Sequence, residues 1–485
     1  MNTKPLLKLA DLNFSNRLKK VCPHLFVQVA STPLKNPVLL HTNLDLLNRL
    51  ELDPRELEKS SFTRFLNGDL DFEGLIFSST YYSGHQFGYY VPRLGDGRAI
   101  MLGEVVNSKG EHFELQLKGA GLTPFSRMGD GKAVVRSSIR EYLASAHLKA
   151  LNIPTTEALA IIHGSDDVYR EVVEKAAIVL RVSESFLRFG HFQYFANTKQ
   201  EAELKILVDF TIDNYFKEFA DHPNRYVLFF QSVVKKTAKL FAAWQSVGFA
   251  HGVLNTDNMS ILGLTIDYGP FGFIDNFDLD HICNHSDHEG RYSFGNQPPI
   301  GLWNLEQLGI ALQSFIKEED LKRTLDSYPL IFHVEYRRLL KEKLGLYKNE
   351  ASDEEFLKKT LNMLVSTKLD YTQFFRELSH YQTTKTLTFP SSPELTAFLI
   401  QYEERLSLEK TASTDRQIKM LATNPKFILR NYLAQIAIEN YDSNPVVLFQ
   451  IFEVLSHPYE EWTEFEEWSR PAPIKYKNLS VSCSS

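Results

Sequence analysis

Apolar and polar side chains alternate from Phe113 to Lys118, with Phe and Leu on one face and Glu, Gln and Lys on the other. A period of two predicts a β-strand. The apolar run from Ala99 to Val106 predicts the preceding strand, and Asn, Ser and Gly in 107–110 are typical of a hairpin connection. A further strand is predicted from Ala177 to Val182. From about residue 76 we therefore expect short strands joined by glycine-rich loops.

Helical spacing of apolar residues dominates much of the remaining chain. A helix is predicted from Ser137 to Leu151, and residues 200–250 are also helical in pattern. The first 75 residues mix short helical patterns, Leu46 to Leu50 and Glu56 to Leu66, with proline-containing loops. Most of residues 303–470 is predicted to be amphipathic helix, in the segments Trp303 to Ile316, Tyr336 to Leu346, Glu354 to Ser366, Pro393 to Leu408 and Ile428 to Asn440.

Composition and charge describe an ordinary globular protein of 485 residues. Hydrophobic residues make up 43% of the chain, which is enough to bury a core. The net charge of −7 indicates no bulk attraction to nucleic acid or to anionic lipid. Residues 1–16 lack an apolar core and no later segment approaches a membrane span, so we expect no secretory signal and no membrane partner. The cysteines Cys22, Cys283 and Cys483 fit a reducing compartment, and a cytoplasmic enzyme is expected.

The segment from His251 to Gly269 carries the clearest chemistry. Asn258 and Asp267 lie on either side of an apolar run, and these oxygen-bearing side chains suit a hydrated Mg²⁺ that completes its shell with nucleotide phosphates. In kinases, a catalytic-loop Asn and the Asp of a D-F-G segment bind the metal, and Asp267 begins a D-Y-G variant. Val253 stands where a kinase has its catalytic Asp, which leaves Asp257 as the candidate base. The alternative is a short buried hairpin with two polar caps.

Lys118 is predicted to lie on the polar side of a strand end, directly before a flexible glycine-rich segment. A strand lysine that contacts phosphates and pairs with a helix glutamate is a kinase feature. Glu141 in the predicted helix is the candidate partner. Two alternatives remain. Lys118 is a solvated edge lysine, or Ser138 and Glu141 form an S-x-x-E capping box at the helix start.

Three further features suit phosphate binding. Gly95 and Gly97 flank Asp96 and precede Arg98, and glycines let backbone N–H groups approach a phosphate, although most G-x-G sequences are plain turns. Asp130 and Gly131 lie in a small-residue loop before the predicted helix, where backbone donors and the helix dipole favour anions. Arg181 and Arg188 flank a turn and suit phosphate clamping, with surface salt bridging as the alternative.

Taken together, these segments resemble the selenoprotein O family of kinase-fold protein adenylyltransferases. The resemblance is specific and covers essentially the whole chain in order. It rests on Ser83–Gly88, Gly95–Arg98, Leu117–Gly121, Ser137–Leu143, Arg181–Gly190, His251–Gly269, Asn296–Asn304, Asn424–Gln435 and the C-terminal Cys483-Ser484-Ser485.

The resemblance implies an α+β fold with a bilobal, protein-kinase-like architecture. It implies an N-terminal extension (1–75), an N-lobe with the nucleotide loops (76–200), a C-lobe with the catalytic and metal-binding loops (201–305), and a helical C-terminal region with a cysteine-containing tail (306–485). ATP is expected to bind in a flipped orientation, so that AMP rather than phosphate is transferred to protein hydroxyls.

The resemblance also implies residue roles. Gly95, Gly97, Arg98, Asp130 and Gly131 would contact the nucleotide, Lys118 paired with Glu141 would bind its phosphates, and Arg181 and Arg188 would hold the terminal phosphate. Asp257 would accept the proton, and Asn258 and Asp267 would bind Mg²⁺ or Mn²⁺. Cys483 stands where some relatives have selenocysteine. A Cys283–Cys483 disulfide is implied, with thiol-redox proteins as partners.

The leading hypothesis is an enzyme that transfers AMP from ATP to Ser, Thr or Tyr hydroxyls of proteins and releases pyrophosphate. A phosphotransferase and an inactive nucleotide-binding pseudokinase scaffold are the alternatives. Val253 disfavours the phosphotransferase, whereas the intact set of Lys, Glu, Asn and Asp favours an enzyme over a scaffold. Asp267 is expected to contribute to metal binding and little to the core.

Overall fold

The computed structural model describes residues 6–477, 479 and 481. Its strands are β1 (Phe26–Gln28), β2 (Val38–Thr42), β3 (Ser78–Thr80), β4 (Gly84–Gln86), β5 (Tyr89–Val91), β6 (Ala99–Val106), β7 (His112–Lys118), β8 (Ala133–Val134), β9 (Glu157–Tyr169), β10 (Val173–Ser183), β11 (Phe249–Ala250) and β12 (Gly272–Phe273). The strands predicted at 99–106, 113–118 and 177–182 are confirmed.

Eight strands form one antiparallel sheet in the order β1-β3-β6-β7-β10-β9-β2, with β8 paired to β10. Strand β7 lies in its interior, and Lys118 is in register with Ala99 on β6 and Val179 on β10. The polar side chains of β7 are buried rather than solvated, and only 7% of Lys118 is exposed. The solvated edge lysine is therefore excluded.

The first 75 residues contribute to this sheet directly. Strand β1 pairs with β3 at one side, and β2 pairs with β9 at the other, so this part of the chain supplies both outermost strands. Its apolar side chains share a core with the sheet, including Leu46, Phe62 and Phe65.

The α-helices are α1 (Arg17–Val21), α2 (Leu44–Arg49), α3 (Ser60–Leu66), α4 (Val135–Ala150), α5 (Phe189–Asn197), α6 (Glu201–Tyr215), α7 (Arg225–Val247), α8 (Gln297–Ala311), α9 (Glu318–Asp326), α10 (Tyr328–Lys343), α11 (Asp353–Thr367), α12 (Tyr371–Thr384), α13 (Pro393–Leu406), α14 (Ser413–Thr423), α15 (Asn431–Asn440) and α16 (Val446–Ser456). The helical region after residue 303 is confirmed, but the sequence pattern does not indicate α9, α12, α14 and α16 as separate helices.

Two helices, α4 and α7, position Glu141 and the segment from His251 to Gly269. Helix α4 packs on β9 and β10, which presents its buried face to the sheet. Helix α7 ends at Val247, and the φ of +74° at the following Gly248 lets the chain reverse into β11 and then into His251. No helix within the described ranges combines the length and apolar composition that crossing a membrane requires.

Candidate active site

A cleft of about 650 Å³ lies between the main sheet and the segment that follows α7. Of the candidate nucleotide, catalytic and metal-binding residues, all but Glu141 line it: Gly95, Gly97, Arg98, Lys118, Asp130, Gly131, Arg181, Arg188, Asp257, Asn258 and Asp267. The fold thus brings together residues that are up to 172 positions apart in the chain. A pocket of this volume is of the size that takes a small ligand.

Lys118 and Glu141 form a buried ion pair, and Arg181 is ion-paired with the second carboxylate oxygen of Glu141. Helix α4 begins at Val135 and its N-cap, Val134, makes no side-chain hydrogen bond, so the predicted capping box is wrong. Burial opposes the charge on Glu141, but Arg181 and Lys118 outweigh it and hold its pKa below the usual range. Burial, with repulsion from Arg181, lowers the pKa of Lys118 to about 8.

Asp267 is held by two arginines. Arg181 Nη2 lies 3.0 Å from Asp267 Oδ1, and Arg188 is ion-paired with Oδ2. Burial alone would raise the pKa of Asp267, but Arg188, Arg181 and Lys118 hold it far below the usual range. Both arginines are at least 96% buried, so the surface salt bridge predicted as their alternative is wrong. Asp267 also has a φ of +57°, an uncommon conformation that often marks a functional site.

Asp257 lies in a short 3₁₀ turn (Thr256–Asn258) and is buried. Its Oδ2 accepts a hydrogen bond from Gln86 Nε2 at 3.3 Å, whereas Oδ1 has no hydrogen-bond partner among the described residues. Burial raises the pKa of Asp257 to about 6. A buried carboxylate with an unoccupied oxygen and a pKa near neutrality has the properties of a general base.

Asn258 is oriented by one hydrogen bond. Its Nδ2 donates to the backbone carbonyl of Val253 at 3.0 Å, which leaves the amide oxygen as the end available to a cation. Asp267 provides a carboxylate on the same cleft. Hard oxygen donors of this kind fit Mg²⁺ or Mn²⁺, because such ions keep several waters and phosphate oxygens in their shell. The two side chains therefore fit the implied metal.

His251 connects the two ends of this segment. Its Nε2 donates to the carbonyl oxygen of Ile266 at 2.8 Å, and Nδ1 accepts from the backbone N–H of Val253 at 3.4 Å. The segment between Asn258 and Asp267 is not a hairpin of its own, because Ser260 bridges to Arg188 and Thr265 bridges to Thr155. The predicted buried hairpin is wrong.

The glycines of the G-x-G turn are required by packing. Gly95 has a φ of +107°, and a Cβ there would lie 2.4 Å from the Phe125 ring. A Cβ on Gly97 would lie 3.0 Å from the Phe125 carbonyl oxygen. Arg98 is half-buried and has no carboxylate within 4.0 Å in the part of the chain that the structure describes. A guanidinium without a carboxylate partner in a cleft is available to an anion.

Asp130 lines the rim of the cleft but is not open to a ligand in this structure. Arg170 donates to both of its carboxylate oxygens at 2.9 Å, and this hydrogen bonding lowers the pKa of Asp130. Gly131 has a φ of +72°, and a Cβ there would lie 2.2 Å from the Gly121 carbonyl oxygen. The loop therefore owes its shape to Gly131 and to the Asp130–Arg170 ion pair.

Sequence reasoning missed Gln86 and Arg170. Gln86 lies in the aromatic and glycine-rich loop before Gly88 and reaches Asp257 across 171 positions of chain. Arg170 follows the end of β9 and lies 40 positions from Asp130. The only sequence signal for Gln86 was its position as a polar residue in a glycine-rich loop. That position does not identify Asp257 as its partner.

Cys283 packs behind the catalytic segment and is half-buried. Its Sγ donates to the carbonyl oxygen of Ala250 at 3.5 Å, and a Cβ on Gly252 would lie 2.7 Å from that sulfur. Cys483 lies outside the described residues, so the Cys283–Cys483 disulfide stays a prediction. Cys22 is fully buried, and burial raises the pKa of its thiol to about 12.

Comparisons with known proteins show which family this chain resembles. A family model described as "Protein adenylyltransferase SelO" matches residues 8–468. A protein of Stutzerimonas stutzeri (strain A1501) called "Protein nucleotidyltransferase YdiU" is 43% identical over 483 residues, covering 98% of this chain and 99% of that protein. A protein of the same name from Myxococcus xanthus (strain DK1622) is 41% identical over 485 residues, covering 98% and 99% of the two chains.

Proposed function

This chain belongs to the protein adenylyltransferase SelO family and is an enzyme of the nucleotidyltransferase class, and on that premise we propose that it transfers AMP from ATP to Ser, Thr or Tyr hydroxyls of proteins. One observation carries the proposal. Asp257, whose buried Oδ1 has no hydrogen-bond partner among the described residues, shares a cleft with Arg98, Lys118, Arg181 and Arg188, whereas Val253 provides no base. The cleft thus offers a proton acceptor together with a concentration of positive charge.

In the proposed reaction, the acceptor hydroxyl oxygen attacks the α-phosphorus of ATP. Its proton moves to Asp257, the bond from the α-phosphorus to the bridging oxygen breaks, and pyrophosphate leaves. A positioned base of this kind contributes about 10² to 10⁴ in rate. Lys118, kept in place by Glu141, stabilises the negative charge that grows on the departing oxygens.

Asn258 and Asp267 would hold the divalent metal, which supplies charge neutralisation at the phosphates when it is bound. In the present structure Arg181 and Arg188 neutralise Asp267. With the carboxylate of Asp267 engaged by a metal, Arg188 and the Nη2 side of Arg181 would be available to phosphate oxygens, while Arg181 would stay paired with Glu141. In this proposal the two arginines stabilise the ligand-free cleft through Asp267 and would hold the β- and γ-phosphates of bound ATP as the leaving group.

We also propose a kinase-like bilobal arrangement for this cleft, with residues 76–200 as the N-lobe and 201–305 as the C-lobe. Its support is the position of the cleft, which lies between the antiparallel sheet and the segment that follows α7. Arg181 and Arg188 from the first unit ion-pair with Asp267 from the second, so the catalytic contacts cross the boundary between them.

The test compares two labelled nucleotides. With Mg²⁺ or Mn²⁺, label from α-³²P ATP is expected to become attached to protein, whereas label from γ-³²P ATP is not. Asp257→Asn removes the base without changing size, so it is expected to slow transfer about 10² to 10⁴-fold while ATP affinity is retained. Attachment of the γ label alone would establish the phosphotransferase. Tight ATP binding without transfer of either label would establish the scaffold.

A further inference from the structure

The hairpin formed by β4 and β5 is attached to the catalytic turn through strand β4. The backbone N–H of His85 donates to Thr256 Oγ1 at 2.7 Å, and Gln86 Nε2 donates to Asp257 Oδ2 at 3.3 Å. Phe87 and Gly88 connect the strands with φ values of +50° and +86°, as in a type I′ turn. The hairpin thus leads away from the proposed base in a fixed direction.

Arg291 lies at the tip of this hairpin. Its guanidinium faces Gly88, with all three terminal atoms 3.4–3.6 Å from the position of a Cβ there, and it stacks on the Trp303 ring at 4.8 Å. The nearby Asp287 carboxylate is occupied by the backbone N–H groups of Arg291 and Tyr292. The planar group is therefore held between a glycine and an indole ring.

The charge of Arg291 is not neutralised within the described ranges, where no carboxylate oxygen lies within 4.0 Å of its side-chain nitrogens. Within the described part of the chain, Nε of Arg291 is buried without a hydrogen-bond partner, and the side chain as a whole is partly exposed. Arg291 does not line the nucleotide cleft. The Arg291 guanidinium is held in place, but it forms no ion pair among the described residues and does not line the nucleotide cleft. Such a group is suited to bind a carboxylate of another molecule.

The Arg291 guanidinium contacts the rings of Trp303 and Tyr292, and further aromatic residues lie on the hairpin itself. Tyr89 is 80% exposed, Tyr90 is 37% exposed, and His85 packs edge-on against Trp303 with ring centres 5.2 Å apart. Tyr, Trp and Arg are the residue types that contribute most to protein–protein binding. We call His85–Tyr90, Arg291 and Trp303 the hairpin shelf. The hairpin shelf lies next to Asp257, which the hairpin contacts at Gly84 and Gln86.

We propose that the hairpin shelf binds the acceptor protein, and that Arg291 selects substrates with an acidic side chain two to four residues from the modified hydroxyl. This inference rests on the proposed function. Asp257 contacts the hairpin at Gly84 and Gln86, and Arg291 contacts it at Gly88. These contacts are two to four residues apart along the hairpin, from the extended strand β4 into the turn at Phe87 and Gly88. Because an extended substrate rises about 3.3 Å per residue, two to four of its residues cover this separation and bring its acidic side chain to Arg291.

The experiment uses the full-length enzyme, α-³²P ATP and synthetic peptides. Each peptide has one Thr in a neutral background and one Glu, Lys or Ala at each position up to five residues on either side. Wild type is expected to label the Glu peptides about tenfold faster, measured as kcat/KM, at a spacing of two to four on one side of the Thr. Spacings of one and five provide internal controls.

Variants separate recognition from structure. Arg291→Ala is expected to abolish the preference for Glu, and Arg291→Glu to reverse it in favour of Lys, a reversal that a purely structural role does not produce. Arg93→Ala is the matched control, because Arg93 is exposed just beyond β5, and it is expected to retain the preference. ATP affinity, measured by calorimetry, checks that the nucleotide cleft is intact in each variant.

Each outcome of these assays either supports or contradicts the proposal. A Glu preference that reverses in Arg291→Glu supports the proposal. Labelling by wild type without a flank preference, or equal loss of rate for all peptides in Arg291→Glu, overturns it while the proposed function stands. Equal loss of preference in Arg93→Ala overturns the assignment to Arg291 in favour of general electrostatic attraction. If wild type labels neither peptides nor proteins, the proposed function and this proposal both fail.

Discussion

Arg188 is ion-paired with Asp267, and the same Nη1 atom donates to the backbone carbonyl of Asp257 at 3.0 Å. One buried side chain therefore contacts both the residue proposed to bind metal and the residue proposed to accept the proton. The sequence predicts that Asp267 binds metal and contributes little to the core, and the structure adds that Asp267 neutralises Arg188 and shares Arg181 with Glu141. Metal binding and stability of the ligand-free protein are thus linked at one carboxylate.

Asp267→Ala is expected to lower the free energy of unfolding by about 2–4 kcal/mol as well as abolish metal-dependent transfer. The substitution leaves the buried Arg188 without its carboxylate partner and leaves Arg181 paired with Glu141 alone. Removal of one partner of a buried pair is strongly destabilising. Urea denaturation of the metal-free protein measures the effect. Asp130→Ala, which breaks an exposed pair with Arg170, is the control and is expected to cost less than about 1 kcal/mol. Equal stabilities of wild type and Asp267→Ala would contradict the prediction.

Arg188→Met is expected to tighten Mn²⁺ binding several-fold in the absence of nucleotide while weakening ATP binding. Arg188 competes with a cation for the Asp267 carboxylate but serves the phosphates when a nucleotide is bound. Electron paramagnetic resonance of free Mn²⁺ measures the metal affinity, and calorimetry measures the ATP affinity. Arg170→Met, which changes a pair on the rim, should alter neither strongly. Weaker Mn²⁺ binding by Arg188→Met would show that the two do not compete.

Gly84→Ala is expected to reduce kcat about 10²-fold with little change in ATP affinity. A Cβ at this position would lie 2.7 Å from Asp257 Oδ1, so the base must move, and a displacement of about 1 Å in a catalytic group costs rates of this order. Single-turnover transfer from α-³²P ATP measures the chemical step. Gly309→Ala in α8 is the control, with its nearest contact at 3.3 Å and no link to the cleft. An unchanged single-turnover rate in Gly84→Ala would refute the role of this contact.

Lys343→Met is expected to stabilise the protein at pH 7 by roughly 2–4 kcal/mol. Lys343 is 4% exposed, lies 4.5 Å from the Phe375 ring centre, and burial lowers its pKa from 10.5 to about 7. Because the unfolded chain takes up the proton first, wild type loses stability as pH falls from about 10.5 to 7 and regains none below.

Denaturation of wild type and Lys343→Met between pH 6 and 10.5 tests the predicted direction of this pH dependence. The advantage of Lys343→Met should grow as the pH falls to 7 and then stay constant. Lys358→Met, at an exposed position on α11, is the control and should give the wild-type curve. A difference between wild type and Lys343→Met that does not depend on pH would show that the gain comes from packing alone.

The sequence predicted those parts of the site that depend on local pattern. The alternation that ends at Lys118 and the helical spacing around Glu141 determined which faces these side chains occupy, and their ion pair is present. The capping-box alternative failed because α4 begins three residues before Ser138, where Val134 and Val135 gave no start signal. Helix boundaries depend on tertiary packing, which periodicity does not contain.

The local sequence pattern could not predict contacts between segments that are distant in the chain. Arg188 and Asp267 are 79 positions apart, and Gln86 and Asp257 are 171 positions apart. The residue types indicated phosphate binding, metal binding and proton transfer. They gave no indication that Arg188 and Asp267 neutralise each other when no ligand is bound. The four unpredicted helices also depend on packing between elements, because α9 packs on α7, α12 and α14 pack on each other, and α16 packs on α4 and α15.

The placement of β1 and β2 on the outside of the main sheet has a consequence for handling the protein. These strands have three and five residues, whereas β9, which β2 covers, has thirteen. Short edge strands limit pairing between molecules, and a long uncovered strand with free N–H and C=O groups is a template for aggregation. A chain shortened to begin at residue 76 would lack β2 and would expose the backbone N–H and C=O groups of β9. The first 75 residues therefore protect the sheet edge from pairing with another molecule.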